Sequence, residues 1–121
     1  MIKRTAPRIS VVLSFYNEAA VLPELITRLR AVFLALQQAA KVSSYELIFV
    51  NDNSQDQSES YLRSQLEHGD IVLINMTRNF GVSECVVAGM SVATGDAAVY
   101  MDADLQDPPE VIPQLVETWQ N

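Results

Sequence analysis

Two aspartates lie two positions apart, at Asp102 and Asp104, directly after a short apolar run at residues 97–101. Carboxylates held this close together repel each other unless a cation lies between them, so a purely structural role for the pair is unfavourable. Oxygen ligands of this kind suit Mg²⁺ or Mn²⁺, and such an ion keeps open positions that can bridge to phosphate oxygens. The spacing therefore predicts a site for Mg²⁺ or Mn²⁺ and a ligand that carries phosphate.

Three other polar segments follow apolar runs in the same way. They are residues 14–18 (SFYNE), 51–56 (NDNSQD) and 77–81 (TRNFG). Taken singly, each is also explained by a turn or a helix cap, because Asn, Asp and Ser favour both positions. Ligands of open parallel sheets bind beyond the carboxyl ends of the strands. We therefore expect the four segments to meet at one edge of a sheet.

The elements that would carry these segments alternate along the chain. Four apolar runs, at residues 9–13, 46–50, 71–74 and 97–101, are typical of strands buried on both faces. The apolar spacing predicts helices at about 21–36, 54–66, 82–93 and 108–119, with Pro23 in the first turn of the first and Ser54 capping the second. The alternation predicts a Rossmann-like α/β fold, with a mainly parallel sheet and helices on both of its faces.

A single domain is the expected organisation of the 121 residues, since 49% of them are hydrophobic and no linker or repeat interrupts the chain. The net charge of −7 argues against nucleic acid as a partner, because its phosphates attract clustered Lys and Arg. No apolar run reaches the roughly 18 residues of a membrane span. We expect Cys85, the only cysteine, in the core, His68 in an exposed loop, and Trp119 in the core or at an interface.

A cation held by Asp102 and Asp104 also indicates a reaction. It would offset the net negative charge of the chain against a phosphate-bearing ligand. It would then stabilise a departing nucleoside diphosphate while the bond to the anomeric carbon of a sugar breaks. The predicted chemistry is glycosyl transfer.

The four segments together resemble glycosyltransferase family 2, which has the GT-A fold, and in particular its dolichyl-phosphate mannose synthases and undecaprenyl-phosphate glycosyltransferases. The resemblance covers nearly the whole chain and rests on the order and spacing of residues 77–81 (TRNFG), 93–96 (ATGD) and 101–110 (MDADLQDPPE). It implies an inverting transferase that passes a sugar from a UDP- or GDP-sugar to a polyprenyl phosphate at the cytoplasmic face of the membrane. It leaves the oligomeric state open, a homo-oligomer included.

The resemblance also implies roles for particular residues. The expected contacts with the nucleotide sugar are Phe15, Tyr16, Asn17, Glu18, Asn51, Asp52, Arg78, Asp102, Ala103, Asp104 and Gln106. Asp104 and Asp102 are the expected ligands of Mg²⁺ or Mn²⁺, and Arg78 either orders the loops or meets a phosphate. No catalytic base is expected within residues 1–121, because the family carries it downstream of the Asp-x-Asp loop. The chain is therefore expected to be the donor-binding part of a longer enzyme and to be inactive by itself.

Two positions depart from the family pattern. Asn53 stands where relatives usually have Gly, and because Asn tolerates left-handed backbone angles, we expect the turn to survive. Val82 stands where a Lys commonly follows Asn-Phe-Gly, so any phosphate contact made by that Lys is absent here.

Two other functions fit the same residues, namely transfer to a saccharide acceptor and a non-catalytic nucleotide-binding module. A sugar nucleotidyltransferase is disfavoured because residues 15–18 (FYNE) contain neither the Gly nor the basic residue of its phosphate loop. Flavodoxin-like and response-regulator folds are disfavoured because they place their acidic cluster after other strands. Loss of activity on Asp104→Asn substitution would separate an enzyme from a binding module.

Overall fold

The computed structural model describes residues 5–120 of the chain. The strands are β1 (Arg8–Phe15), β2 (Ser44–Asn51), β3 (Ile71–Asn75) and β4 (Ala97–Asp102). The helices are α1 (Leu22–Gln38), α2 (Ser58–Gln65), α3 (Val82–Val92) and α4 (Ile112–Gln120), with 3₁₀ turns at Leu66–His68 and Pro109–Val111. Every predicted strand and helix is present, and the main differences from the predicted bounds are the later starts of α2, at Ser58, and of α4, at Ile112.

The four strands form one parallel sheet in the order β3-β2-β1-β4. From β1 the chain adds β2 and then β3 on one side, and it then returns to add β4 on the other side of β1. The last residues of β1, Ser14 and Phe15, are register partners of Asp102 and Asn51 respectively. Open parallel sheets bind ligands where the strand order reverses, which here is the crevice between the ends of β1 and β4. The predicted parallel α/β fold is confirmed.

Helices cover both faces of the sheet. α1, α2 and α4 lie over a core that contains the fully buried rings of Phe33 and Phe49. α3 lies on the opposite face, against a smaller core that contains Val12 and Cys85. Gly89 allows this close approach, because a Cβ atom at that position would overlap the Val12 side chain. Each fully buried side chain of the larger core stabilises the fold by about 1.5–3 kcal/mol.

A buried carboxylate ties together the amino ends of the central strands. Glu46, only 6% exposed, accepts hydrogen bonds from the Ser10 hydroxyl at 2.6 Å and from the Thr94 amide and hydroxyl at 2.7 and 2.9 Å. Its other carboxylate oxygen lies 3.5 Å from the Arg8 guanidinium. Burial by itself would raise the pKa of Glu46, but these hydrogen bonds and the Arg8 charge outweigh it and lower the pKa. We call these four residues the amino-edge cluster.

One expectation from the sequence is wrong, and one of two alternatives is excluded. Ser54 does not cap α2, which begins at Ser58; the Asp56 carboxylate accepts the Ser58 amide at 2.9 Å instead. The Ser54 hydroxyl accepts the amide of Asn17 at 2.9 Å, so it joins two loops rather than starting a helix. Of the two positions expected for Trp119, its 50% exposure on α4 excludes the core, and a position at an interface stays a prediction.

Two smaller expectations are confirmed. Cys85 is fully buried, and His68 is exposed at the end of a 3₁₀ turn. Among the helices of residues 5–120, none is long and apolar enough to cross a membrane.

Candidate functional site

A cleft of about 200 Å³ opens at the carboxyl edge of the sheet, at the ends of β1 and β4. It is lined by Ser14, Phe15, Tyr16, Glu18, Asp52, Val82, Cys85, Asp102, Ala103 and Asp104. Four of these residues are acidic and none is basic. We call this the carboxyl-edge cleft. It brings together most of the residues that the sequence predicts for a nucleotide-sugar site.

Asp52 links the wall of the cleft to the loop that precedes α3. Its two carboxylate oxygens accept the backbone amides of Phe80 and Gly81 at 2.7 and 3.0 Å. Its own amide donates to the Phe15 carbonyl at 2.9 Å. The next residue, Asn53, has a φ of 62°, so Asn does adopt the left-handed conformation and the expected turn is confirmed. Asp52 is thus held in one orientation beside the cleft.

Asp102 is held by hydrogen bonds that cross from β4 to β1. One of its carboxylate oxygens accepts the Tyr100 hydroxyl at 2.7 Å, and that hydroxyl lies 2.8 Å from the Ser14 hydroxyl. Burial, assisted by the hydrogen bond to Asp102 and its charge, raises the pKa of Tyr100 to about 12. The phenol is therefore protonated at neutral pH and donates to the carboxylate.

Asp104 and Glu18 interact unfavourably within the cleft. Burial raises the pKa of Glu18, and the negative charges of Asp104 and Asp56 raise it further. Asp104 accepts the Gln106 amide at 3.0 Å, across a turn in which Leu105 has a φ of 65°. A bulky residue adopts such an angle at a cost of about 1–3 kcal/mol, so the surrounding structure must hold this loop in place.

The chemistry of the donor atoms fits a divalent cation that the protein encloses only in part. Residues 5–120 contain no group of three or more His, Cys, Asp or Glu side chains placed to hold a metal ion. Asp102 and Asp104 nevertheless offer hard oxygen ligands. Mg²⁺ commonly binds through one or two carboxylates, with water and substrate phosphates as its other ligands. The cleft therefore suits an ion that shares its coordination with a phosphate-bearing ligand.

Two of the expected contacts, Asn17 and Asn51, shape the loops and do not line the cleft. The Asn51 side chain is buried and donates to the Asn75 side chain at 3.0 Å. The Asn17 side chain accepts the Gln55 amide at 2.8 Å, which joins the loops after β1 and β2. Asn51 therefore joins the ends of β2 and β3, and Asn17 joins two of the loops around the cleft.

Arg78 and Gln106 also lie outside the lining of the cleft. The Arg78 guanidinium lies over the Phe80 ring, 4.5 Å from its centroid. Of the two expected roles of Arg78, this position favours that of ordering the loop. Gln106 is exposed, and its backbone amide donates a hydrogen bond to Asp104.

Ser14, Val82, Cys85 and Tyr100 are parts of this site that are not among the expected contacts with the nucleotide sugar, although Ser14 lies in the predicted segment 14–18 and Val82 is one of the departures from the family pattern. A signal for Tyr100 exists, because residues two apart on a strand point to the same face and Tyr100 precedes Asp102 by two. No comparable signal marks Cys85. Burial raises the pKa of its thiol to about 11, and the neighbouring Asp52 adds to the shift, so the thiol is protonated and a poor nucleophile at neutral pH.

Comparisons with known proteins extend this description. The sequence matches the model of the family described as "Glycosyl transferase family 2" over residues 10–121. It is 42% identical over 111 residues to the uncharacterized glycosyltransferase YkcC of Bacillus subtilis, covering 91% of this chain and 33% of that protein. It is 40% identical to the undecaprenyl-phosphate 4-deoxy-4-formamido-L-arabinose transferase of Pseudomonas aeruginosa, and the match covers 90% of this chain and 31% of that protein. The chain thus spans about a third of the length of these relatives.

Solved structures share the fold. The mannosyltransferase PcManGT of Pyrobaculum calidifontis, in complex with GDP-Man and Mn²⁺, matches with a TM-score of 0.67 at 26% identity, over 85% of this chain and 33% of that one. Residues 1–349 of S. aureus TarS, in complex with UDP, match with a TM-score of 0.65 at 22% identity, over 88% and 32%. The second likeness shows the fold alone. From the family match and these neighbours, the chain belongs to glycosyl transferase family 2 and has the GT-A fold.

Proposed function

We propose that this chain is the donor-binding part of an inverting glycosyltransferase that uses a UDP- or GDP-sugar together with Mg²⁺ or Mn²⁺. The observation that carries the proposal is the carboxyl-edge cleft, in which four carboxylates and no basic side chain surround a space where the strand order reverses. A nucleoside diphosphate can enter such a cleft only with a cation that offsets the repulsion. The neighbour bound to GDP-Man and Mn²⁺ supports both the donor class and the ion.

Asp102 and Asp104 are the proposed protein ligands of the ion. When bound, the ion supplies Lewis-acid stabilisation of the departing diphosphate. Asp102 stands at the end of β4, where Tyr100 fixes one of its oxygens, and Asp104 follows on a tight turn. Because both carboxylates are already ordered, the binding of the ion and its diphosphate requires little further ordering of the protein.

The base and ribose of the donor are proposed to lie along the wall formed by Tyr16, Glu18 and Asp52. The Tyr16 side chain is 46% exposed, so its ring is available for contact with a planar base. Each Asp52 oxygen accepts one amide of the neighbouring loop, but a carboxylate oxygen can accept two hydrogen bonds. Asp52 therefore retains acceptor capacity for a ribose hydroxyl or a base N–H. Ala103, between the two proposed metal ligands, presents only a methyl group and leaves room for the donor.

A polyprenyl phosphate is the proposed acceptor. The relative from Pseudomonas aeruginosa, which is named as an undecaprenyl-phosphate sugar transferase, supports this class of acceptor. In the proposed step, an oxygen of the lipid phosphate bonds to the anomeric carbon from the face opposite the leaving group. The bond from that carbon to the nucleoside diphosphate breaks, and the diphosphate leaves with the electron pair. The acceptor site and any catalytic base are proposed to lie in a longer protein, at the cytoplasmic face of the membrane.

Isothermal titration of the chain with UDP, GDP and their sugar conjugates tests donor binding. With Mn²⁺ or Mg²⁺ present, we expect binding to one of the two nucleotides, and excess EDTA is expected to abolish it. Asp104→Asn is expected to weaken this binding about 100-fold, since it removes a charged ligand of the ion. Asp107→Asn is the matched control, because Asp107 is an exposed aspartate of the same loop that does not line the cleft.

The outcomes separate the alternatives. Binding that survives both EDTA and the Asp104→Asn substitution contradicts the metal site, and an absence of binding to every nucleotide contradicts donor recognition by this chain. In the longer protein, transfer to a saccharide in place of a lipid phosphate would replace the proposed acceptor. Full activity of that protein with Asp104→Asn would favour a role of the cleft outside catalysis.

A further inference from the structure

The hydroxyl group of Tyr100 is not needed for the packing of its ring. Tyr100 lies on β4, two residues before Asp102, and its side chain points to the same face of the sheet. Its ring packs against the smaller core beneath α3, which contains Val12 and Cys85. A phenylalanine would make the same apolar contacts. The hydroxyl is partly buried, and a polar group in such a place is unfavourable unless it is hydrogen-bonded.

The directions of its two hydrogen bonds follow from a count of protons. An ionised carboxylate can only accept, so the Tyr100 hydroxyl donates its single proton to Oδ1 of Asp102 at 2.7 Å. The 2.8 Å contact with Ser14 must then run from the Ser14 hydroxyl to the phenol oxygen. Ser14 and Asp102 are register partners on β1 and β4. The directed series of hydrogen bonds therefore starts on β1 and ends on the carboxylate at the cleft.

We infer that Tyr100 is a positioning residue, which holds one oxygen of Asp102 so that the other is presented to the cation and diphosphate in the carboxyl-edge cleft. The inference rests on the proposed function of that cleft. Among the described residues, Tyr100 is the one that donates a hydrogen bond to the Asp102 carboxylate. Asp102 otherwise stands beside the negative charge of Asp104, so this hydrogen bond is the attractive contact that orients its carboxylate.

The Tyr100→Phe variant tests the inference, and the chain offers a matched control. Tyr45→Phe removes a phenol that also donates to a carboxylate at 2.7 Å, that of Asp70, but which lies away from the cleft and stacks on Phe33. Each variant loses one hydroxyl-to-carboxylate hydrogen bond, so we expect similar small losses of thermal stability. We expect Tyr100→Phe alone to weaken Mn²⁺-dependent binding of the nucleoside diphosphate, by about tenfold.

A second measurement does not depend on any ligand. Three-bond couplings between Hα and the two Hβ protons of Asp102, measured by NMR, report its χ1 angle. We expect a single rotamer in the wild-type chain and averaging over rotamers in Tyr100→Phe, while Tyr45→Phe behaves as the wild type. Two-dimensional amide spectra of the same samples show that each variant is folded.

Each outcome bears on one of the two proposals. Wild-type affinity in Tyr100→Phe, or an equal loss in both variants, overturns the positioning role and leaves the proposed donor site intact. If the wild-type chain binds no nucleotide, the donor site is contradicted, and the couplings then decide the positioning role. An Asp102 side chain that keeps the same single rotamer without the Tyr100 hydroxyl overturns it.

Discussion

Glu46 and Glu18 stand at opposite edges of the sheet, and their pKa values are displaced in opposite directions. Burial opposes ionisation at both. At the amino edge, donors on Ser10 and Thr94 and the charge of Arg8 outweigh burial, so the pKa of Glu46 is lowered. At the carboxyl edge, burial and two neighbouring aspartates act in the same direction, and the pKa of Glu18 is raised. In the amino-edge cluster the chain surrounds the Glu46 carboxylate with its own donors, whereas the carboxylates of the carboxyl-edge cleft are left open to a ligand.

Glu46→Ala disrupts the amino-edge cluster and is expected to have the largest effect on stability. It removes the acceptor of the Ser10 hydroxyl and of two Thr94 donors, together with the negative charge that faces Arg8, which is expected to cost about 3 kcal/mol of unfolding free energy. Urea denaturation followed by circular dichroism measures this loss. Glu59→Ala is the control, since it removes an exposed ion pair with Arg63 and should leave the urea midpoint nearly unchanged. Equal midpoints for the two variants would show that the cluster does not stabilise the fold.

The same contrast predicts a dependence of stability on pH. The lowered pKa of Glu46 means that its stabilisation is complete above its ordinary value of 4.5 and is lost as the pH falls through the folded-state pKa. The raised pKa of Glu18 has the opposite sign, because its protonation on acidification relieves repulsion. We therefore expect Glu46→Gln to show a shallower loss of stability below pH 4.5 than the wild type.

Urea titrations at a series of pH values measure this difference. Some loss at acid pH is expected to remain in Glu46→Gln, because hydrogen bonds from Arg30 and Tyr45 lower the pKa of Asp70 in spite of its burial. Parallel curves for the wild type and the variant would contradict the assignment of the acid-sensitive stability to Glu46.

Glu18→Gln tests the repulsion among the carboxylates of the carboxyl-edge cleft. It removes one negative charge beside Asp104 and is expected to raise the unfolding free energy by about 0.5 kcal/mol, as relief of unfavourable charge at a functional site commonly does. Thermal denaturation at neutral pH measures the gain. Glu67→Gln, an exposed glutamate in the 3₁₀ turn after α2, is the control and is expected to leave the melting temperature unchanged. A loss of stability in Glu18→Gln would contradict the repulsion between Glu18 and its neighbouring aspartates.

Val82→Lys is expected to have the smallest effect. It places a positively charged side chain of the protein among the carboxylates of the carboxyl-edge cleft. We expect the affinity for a nucleoside diphosphate in the presence of Mn²⁺ to rise about twofold, or about 0.4 kcal/mol, because the new charge acts in a solvated cleft. Val87→Lys places the same charge on α3 at a position that is 67% exposed and does not line the cleft. A similar gain in both variants would point to a general effect of net charge. A gain confined to position 82 would show that the carboxylates of the cleft lack a positive charge of their own.

The fold follows from patterns that are local in the sequence. Four apolar runs alternate with amphipathic segments, so the parallel sheet and its helices are predicted from neighbouring residues alone. The start of α2 is not, since Ser54, Asp56 and Ser58 are all suitable caps. A contact with Asn17, distant in sequence, decides among them by engaging Ser54.

The site divides in the same way. Asp52, Asp102 and Asp104 are predicted because they follow strands, and the ends of parallel strands meet. The role of Tyr100 requires knowledge of the register between β1 and β4, which brings Ser14 opposite Asp102. The position of Arg78 over the Phe80 ring depends on where a long side chain turns once it leaves the loop, which residue spacing does not reveal.

The two backbone amides that Asp52 accepts have a consequence for hydrogen exchange. Phe80 lies in an exposed loop, and Gly81 follows it, so rapid exchange with solvent would ordinarily be expected at both. Since their N–H groups donate to a carboxylate, exchange requires the loop to separate from the end of β2. The protection factors of these two amides therefore measure the free energy of opening the loop in the absence of any nucleotide.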